Sequence, residues 1–251
     1  RGISMYSSDR VAAMNNDIAD TNKQGNYRNE GGNYGISYDN VSTEIANQCT
    51  IRNNNIYILG RDNIYGLRGQ GALVDSNTIT VVGNSDYARG IYSSYSRIYD
   101  NTIYSISDGY GRGIESFGSS EKPSTIKRNT VYALNKSMAF HGSYAHVEDN
   151  VFYGTDNDHF LWDLSEESPT YNRDYWAVSD GPNLVVINNK FYDFGYGVNV
   201  NGSNCIIKNN VFTLNRSAGF SIYGGTNTIV HKNSITLRGL DSNVDFGMRL
   251  S

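Results

Sequence analysis

Ile98-Tyr99-Asp100-Asn101-Thr102-Ile103 is the stretch whose reading decides the fold. It runs apolar, two polar residues, Asn, any residue, apolar. The same form returns as Ile51–Asn54–Ile56, Val74–Asn77–Ile79, Ile126–Asn129–Val131 and Val147–Asn150–Phe152. It returns again as Val186–Asn189–Phe191, Ile207–Asn210–Phe212 and Val230–Asn233–Ile235, with a degraded copy at Ala13–Asn16–Ile18. Most spacings between these asparagines fall between 21 and 28 residues, and two are 38 and 39. A second landmark, Gly followed by an apolar residue, alternates with the first. It stands at Gly2-Ile3, Gly35-Ile36, Gly66-Leu67, Gly90-Ile91, Gly113-Ile114, Gly197-Val198, Gly219-Phe220 and Gly247-Met248. Ala139-Phe140 and Ala177-Val178 fill the two remaining slots. Two landmarks in fixed order, repeated along the whole chain, define a repeat protein.

The local chemistry of the repeat is that of short strands. Thr50-Ile51-Arg52 and Cys205-Ile206-Ile207 are β-branched runs bounded by Asn or Gly. A period of about 20 to 30 residues fits a leucine-rich repeat or a β-helix. The first needs a Leu-x-x-Leu-x-Leu scaffold, whereas this chain uses Ile, Val and Phe at its landmarks. A parallel β-helix stacks its coils at about 4.8 Å, so equivalent residues form ladders along the axis. A stacked Asn bonds to its copies above and below. The expected fold is therefore all-β, a parallel β-helix of about nine coils forming one domain over residues 1–251.

The Asn-x-Ile and Gly-Ile pattern resembles the repeats of right-handed, pectate-lyase-like β-helix proteins. Polysaccharide lyases, glycoside hydrolases, alginate epimerases and phage tailspikes belong to that group. The resemblance spans nearly the whole chain and implies a polysaccharide partner and an extracellular, cell-surface or virion location. A tailspike would also imply a homotrimer. The resemblance specifies fold better than chemistry, because one fold hosts many sites. The Asn-Thr-Asp, Asp-Asp and Gly-His-Gly motifs of polygalacturonase-like hydrolases do not occur. Asn157-Asp158-His159 echoes the Asp-Pro-His of alginate epimerases without its Pro.

Composition excludes other classes. The formal net charge is −4 and no run of Lys or Arg exists, which argues against nucleic acid. No apolar stretch reaches the roughly 20 residues of a membrane span. Cys49 and Cys205 are the only cysteines, too few for a disulfide framework or a Cys/His zinc site. They occupy the same slot, five residues before Asn54 and Asn210. They should face inward as free thiols, six coils apart.

The long spacings mark insertions near 22–33 and 155–175, and a smaller one falls near 117–124. The second holds Asp158, His159 and Trp162, whose ring is a candidate wall for a sugar. Insertions in a solenoid tend to project from one face, often the binding face. Arg1-Gly2-Ile3 already is a second landmark, and Gly247-Met248 lies near Ser251. Both ends read as cut from inside a stack, the expectation being a segment of a longer protein.

The residue after each Gly-apolar pair should point away from the core, since strand side chains alternate. That column reads Ser4, Ser37, Arg68, Tyr92, Glu115, His141, Ser179, Asn199, Ser221 and Arg249. Arg89 and Arg112 stand three residues before Tyr92 and Glu115. The combination suits an acidic sugar: Glu115 or His141 for proton transfer, Arg89 and Arg112 for a carboxylate, Tyr92 for stacking, and Arg68 in the same row as a further substrate-binding residue. An exposed ladder with favourable Glu–Arg neighbours would look the same. A second column, Asp62, Asp86, Asp108 and Asp193, has Asn135 and Asn215 in the same slot. Asn and Asp interchange at turns, which favours a structural role. Asp86 and Asp108 are otherwise candidates for acid–base work or calcium. Two functions follow: a polysaccharide-degrading lyase or hydrolase of tailspike type, or a non-catalytic structural or adhesive β-helix.

Overall fold

An asparagine that recurs once per coil satisfies its neighbours only if the coils stack in register. In the computed structural model they do. The structure describes residues 2–7, 11–20, 33–40, 49–60, 63–83, 88–155, 176–179, 181–214, 218–222, 226–238 and 246–250. Asn16, Asn54, Asn77, Asn101, Asn129, Asn150, Asn189, Asn210 and Asn233 form one continuous ladder. The Nδ2 of Asn77 donates to Oδ1 of Asn101 at 2.9 Å, and Asn101 to Asn129 likewise at 2.9 Å. Every link runs in this direction, from Asn16→Asn54 through Asn210→Asn233. The Oδ1 of Asn101 also accepts the backbone N–H of Asn77 at 2.9 Å, while its Nδ2 reaches back to the carbonyl of Val74 at 3.1 Å. One short amide thus ties three coils together, and the ladder is buried from Asn54 to Asn210.

The residue before each ladder Asn turns the chain. Asn15, Asn53, Ser76, Asp100, Arg128, Asp149, Asn188, Asn209 and Lys232 all hold φ between 52° and 58°. Asn and Asp tolerate this left-handed region because their side chains bond locally, and they fill six of the nine places.

Each ladder turn joins a short strand to a second strand, and the Gly-apolar landmark lies on a third. Every strand pairing among the described residues is parallel, and no helix occurs there. The smaller sheet holds nine strands among these residues, from Ala12–Met14 to Ile229–His231, one per ladder Asn. Among the described residues the other two faces form one 17-stranded sheet, because Thr102–Phe117 and Thr130–Ser143 run on around the corner between them. The chain is an all-β, right-handed parallel β-helix.

The core is built of stacks of like residues. Ile36, Leu67, Ile91, Ile114 and Phe140 lie one above another, each fully buried. Phe152, Phe191 and Phe212 stack with centroids 4.8 and 4.6 Å apart. Burying each such side chain stabilises the fold by roughly 1.5–3 kcal/mol. The glycine of the second landmark is a consequence of this packing. A methyl on Gly90 would collide with Cγ2 of Ile103 and stand 2.6 Å from the carbonyl oxygen of Gly113. Cys49 and Cys205 face the core as free, buried thiols.

Of the three insertions, residues 117–124 are described. They make a tight loop in which Ser119 Oγ accepts the N–H of Lys122 at 3.1 Å. The greater part of those near 22–33 and 155–175 lies outside the described residues.

Candidate functional site

The column after the Gly-apolar landmark is a single row in the structure. Ser4, Ser37, Arg68, Tyr92, Glu115, His141, Ser179, Asn199, Ser221 and Arg249 pair in register. Arg89 and Arg112 lie in a parallel row with Tyr34 and Tyr65. A third row, on the other side, runs Tyr6, Asp39, Gln70, Ser94 and Phe117. The Arg89 row meets the Tyr92 row outside the core, where Arg89 lies against the Tyr92 ring and reaches Glu115.

Glu115 departs from the expectation of an exposed row. It is 4% exposed, and both its oxygens are engaged. Arg89 Nε donates to Oε2 and Arg112 Nη1 to Oε1. His141 Nε2 stands 3.9 Å from Oε1. Arg89 also donates to the hydroxyl of Tyr65 at 3.1 Å and lies against the rings of Tyr65 and Tyr92. Rings continue the cluster: Tyr92 meets Phe117 edge-on, and Phe117 meets His141 at 5.6 Å. Strand register brings these groups together, but the carboxylate serves first to neutralise and orient two guanidiniums.

Beside this cluster lies a groove of about 500 Å³ over the Tyr6, Asp39, Gln70 and Ser94 coils. Arg68 and Tyr92 line it together with Tyr34, Ser37, Asp39 and Gln70. Arg68 lies over the Tyr65 ring at 5.1 Å. Gln70 Nε2 donates to Asp39 Oδ1 at 2.6 Å, which holds the groove wall. Beneath it Tyr38 is fully buried, its hydroxyl donating to Ser93 Oγ at 2.7 Å. Gly69 makes room for that ring, since any Cβ there would meet the Tyr38 ring and backbone. Burial pushes the Tyr38 phenol up to about 12.

Tyr6, Tyr34, Asp39 and Gln70 were not among the residues singled out in the sequence. The repeat alignment places Tyr34 in the slot of Arg89, and that slot was the available signal. Asp108 belongs to the corner where the register shifts between Ser107 and Gly111. Asn135, aligned with it in the sequence, pairs instead with Ser107, and Asn135 and Asp193 both take a left-handed φ of 60°, as a turn role requires. Asp86, Asp158, His159 and Trp162 lie outside the described residues, and with Asp86 so does the pairing of Asp86 with Asp108. Among the described residues no group of three His, Cys, Asp or Glu converges to hold a metal.

The family model for the right handed beta helix region matches residues 170–250. No curated protein matches the chain in sequence. Similar solved structures include an alginate lyase from Paenibacillus sp. str. FPU-7, at 13% identity and a TM-score of 0.44, covering 99% of this chain and 90% of that one. They also include PfbA, a surface adhesin of Streptococcus pneumoniae, at 12% identity and a TM-score of 0.33, covering 90% and 71%.

Proposed function

We propose that this chain is a polysaccharide-binding β-helix acting outside the cell, on a cell surface or on a virion, and that it degrades an acidic polysaccharide as a lyase or hydrolase of tailspike type. The groove carries this reading. Tyrosine rings suit the C–H faces of pyranoses, while Arg68 and Gln70 offer donors for hydroxyl and carboxylate oxygens. Its volume falls within the range of small-ligand sites.

Elimination fits the described residues better than hydrolysis. Hydrolysis uses two carboxyl groups flanking the scissile bond at about 5–9.5 Å. Among the described residues lining the groove, Asp39 is the one carboxylate. In elimination, a guanidinium from Arg68, Arg89 or Arg112 pairs with the sugar carboxylate and acidifies the adjacent carbon. A base takes that proton, a carbon–carbon double bond forms, and the glycosidic C–O bond breaks as its oxygen is protonated. His141 is the group in the row suited to moving the proton, because both Glu115 oxygens are already engaged. Glu115 is then a positioning residue.

Those same ion pairs favour a second reading, an adhesive β-helix without catalysis. Incubation with a panel of acidic and neutral polysaccharides separates the two. Unsaturated ends should appear with an acidic polymer, and His141→Ala should abolish them while binding persists. Binding without new unsaturated or reducing ends would leave the adhesive function. Binding to no polymer would end both readings.

A further inference from the structure

The groove is not uniformly basic. Its charges among the described residues are one carboxylate, Asp39, and one guanidinium, Arg68. They belong to adjacent coils: Ser37 pairs with Arg68, and Asp39 with Gln70. One coil and two residues of offset put their Cα atoms about 8 Å apart. Beyond Arg68 the face keeps a net positive charge, because Arg89 and Arg112 in the next two coils share the single carboxylate of Glu115. Beyond Asp39 it becomes aromatic and neutral, with Tyr6 at the rim, 69% exposed, and Tyr34 alongside. The groove therefore has a cationic end and an acidic, aromatic end along the axis.

A chain that is acidic at every unit would set one carboxylate on Arg68 and the next near Asp39. The second contact is repulsive, because a carboxylate set beside Asp39 is a like charge well inside one Debye length of about 8–10 Å. A chain in which neutral units alternate with acidic ones avoids it. The acidic unit pairs with Arg68. The neutral unit lies against Tyr6 and Tyr34 and donates its hydroxyl or amide N–H to Asp39, whose other hydrogen bond comes from Gln70. We propose that this groove selects a heteropolysaccharide of alternating uronate and neutral sugar units, and discriminates against a homopolyuronate. The proposal rests on the polysaccharide-binding reading above. Asp39 is its specificity-determining residue, acting by repulsion as well as attraction.

The test is calorimetric titration of the full chain at low salt with oligosaccharides of equal length. Two are alternating, glucuronate with N-acetylglucosamine or N-acetylgalactosamine; one is an oligogalacturonate; one is a neutral N-acetylglucosamine oligomer. At least one alternating ligand should bind about tenfold more tightly than the oligogalacturonate. Asp39→Asn keeps an acceptor for Gln70 and should close most of that gap by improving the oligogalacturonate. Arg68→Ala should weaken both acidic classes. Equal or tighter binding of the oligogalacturonate by the unaltered chain overturns the proposal, as does a gap unchanged in a folded Asp39→Asn variant. Failure to bind either alternating ligand, while some polymer of the wider panel does bind, overturns this inference alone. Failure across the wider panel removes the polysaccharide reading and this one with it.

Discussion

A ladder asparagine does more than its single side chain suggests. Asn101 accepts from Asn77 and donates to Asn129, Val74 and Tyr99. Asn101→Leu would leave buried N–H and C=O groups in neighbouring coils unpaired, each worth about 1–3 kcal/mol. Asn233→Leu, at the part-buried end of the row, should cost less. Chemical denaturation of the two variants checks this ordering, and equal losses would contradict it. The ladder was legible in the sequence because its geometry tolerates one residue type: the amide must be short, and must both donate and accept. The state of Glu115 was not. Repeat spacing fixes which row a residue joins, but not which neighbour its side chain turns to, and two arginines from different coils converge on one carboxylate.

Strands near the groove show how an element is adapted to what lies above it. In Asn33–Asn40 the side chain of Tyr38 crosses Gly69 in the next coil to reach Ser93 in the one after. Ser93 and Ser96 continue the bond inward at 2.6 Å. Burial is the largest influence on the Tyr38 phenol, and it favours the neutral form in the folded state. The unfolded chain loses this proton near the ordinary value of 10, the folded chain near about 12. This contribution to stability is therefore full below pH 10 and is lost as pH rises toward 12, on the order of 2–3 kcal/mol. Tyr38→Phe should flatten that part of the alkaline stability profile. A profile as steep as that of the unaltered protein would rule out Tyr38 as the source. Such a strand was only half legible. Alternation marks Tyr38 as inward, but the room made by Gly69 belongs to another coil, and so does the groove that opens above it.

At the scale of the whole molecule, a solenoid whose contacts run between adjacent coils opens from its ends. In the smaller sheet of the described residues Cys49 opens the second of nine strands and Cys205 directly precedes the eighth, in coils about 29 Å apart. A disulfide between them is out of reach. Burial raises both thiols above their ordinary range, so little reactive thiolate is present while the fold is closed. Alkylation should be slow in native buffer and fast in denaturant. A cysteine introduced at buried Ser124, near the middle of the sheet, should react more slowly than either. Faster labelling at the middle would refute opening from the ends. The ladder carries one more consequence. Because each amide repeats the same bond in the same direction, length is a free variable of this architecture, as with beads on a string. Excising residues 190–210 removes one whole 21-residue period and splices Asn189 to Val211. The Asn150 amide still finds Asn189, Asn189 now meets Asn233, and Phe152 closes onto Phe212 where Phe191 had stood between them. The product should fold as the same rod shortened by a single rung of about 4.8 Å, a modular ruler from which one mark has been taken out.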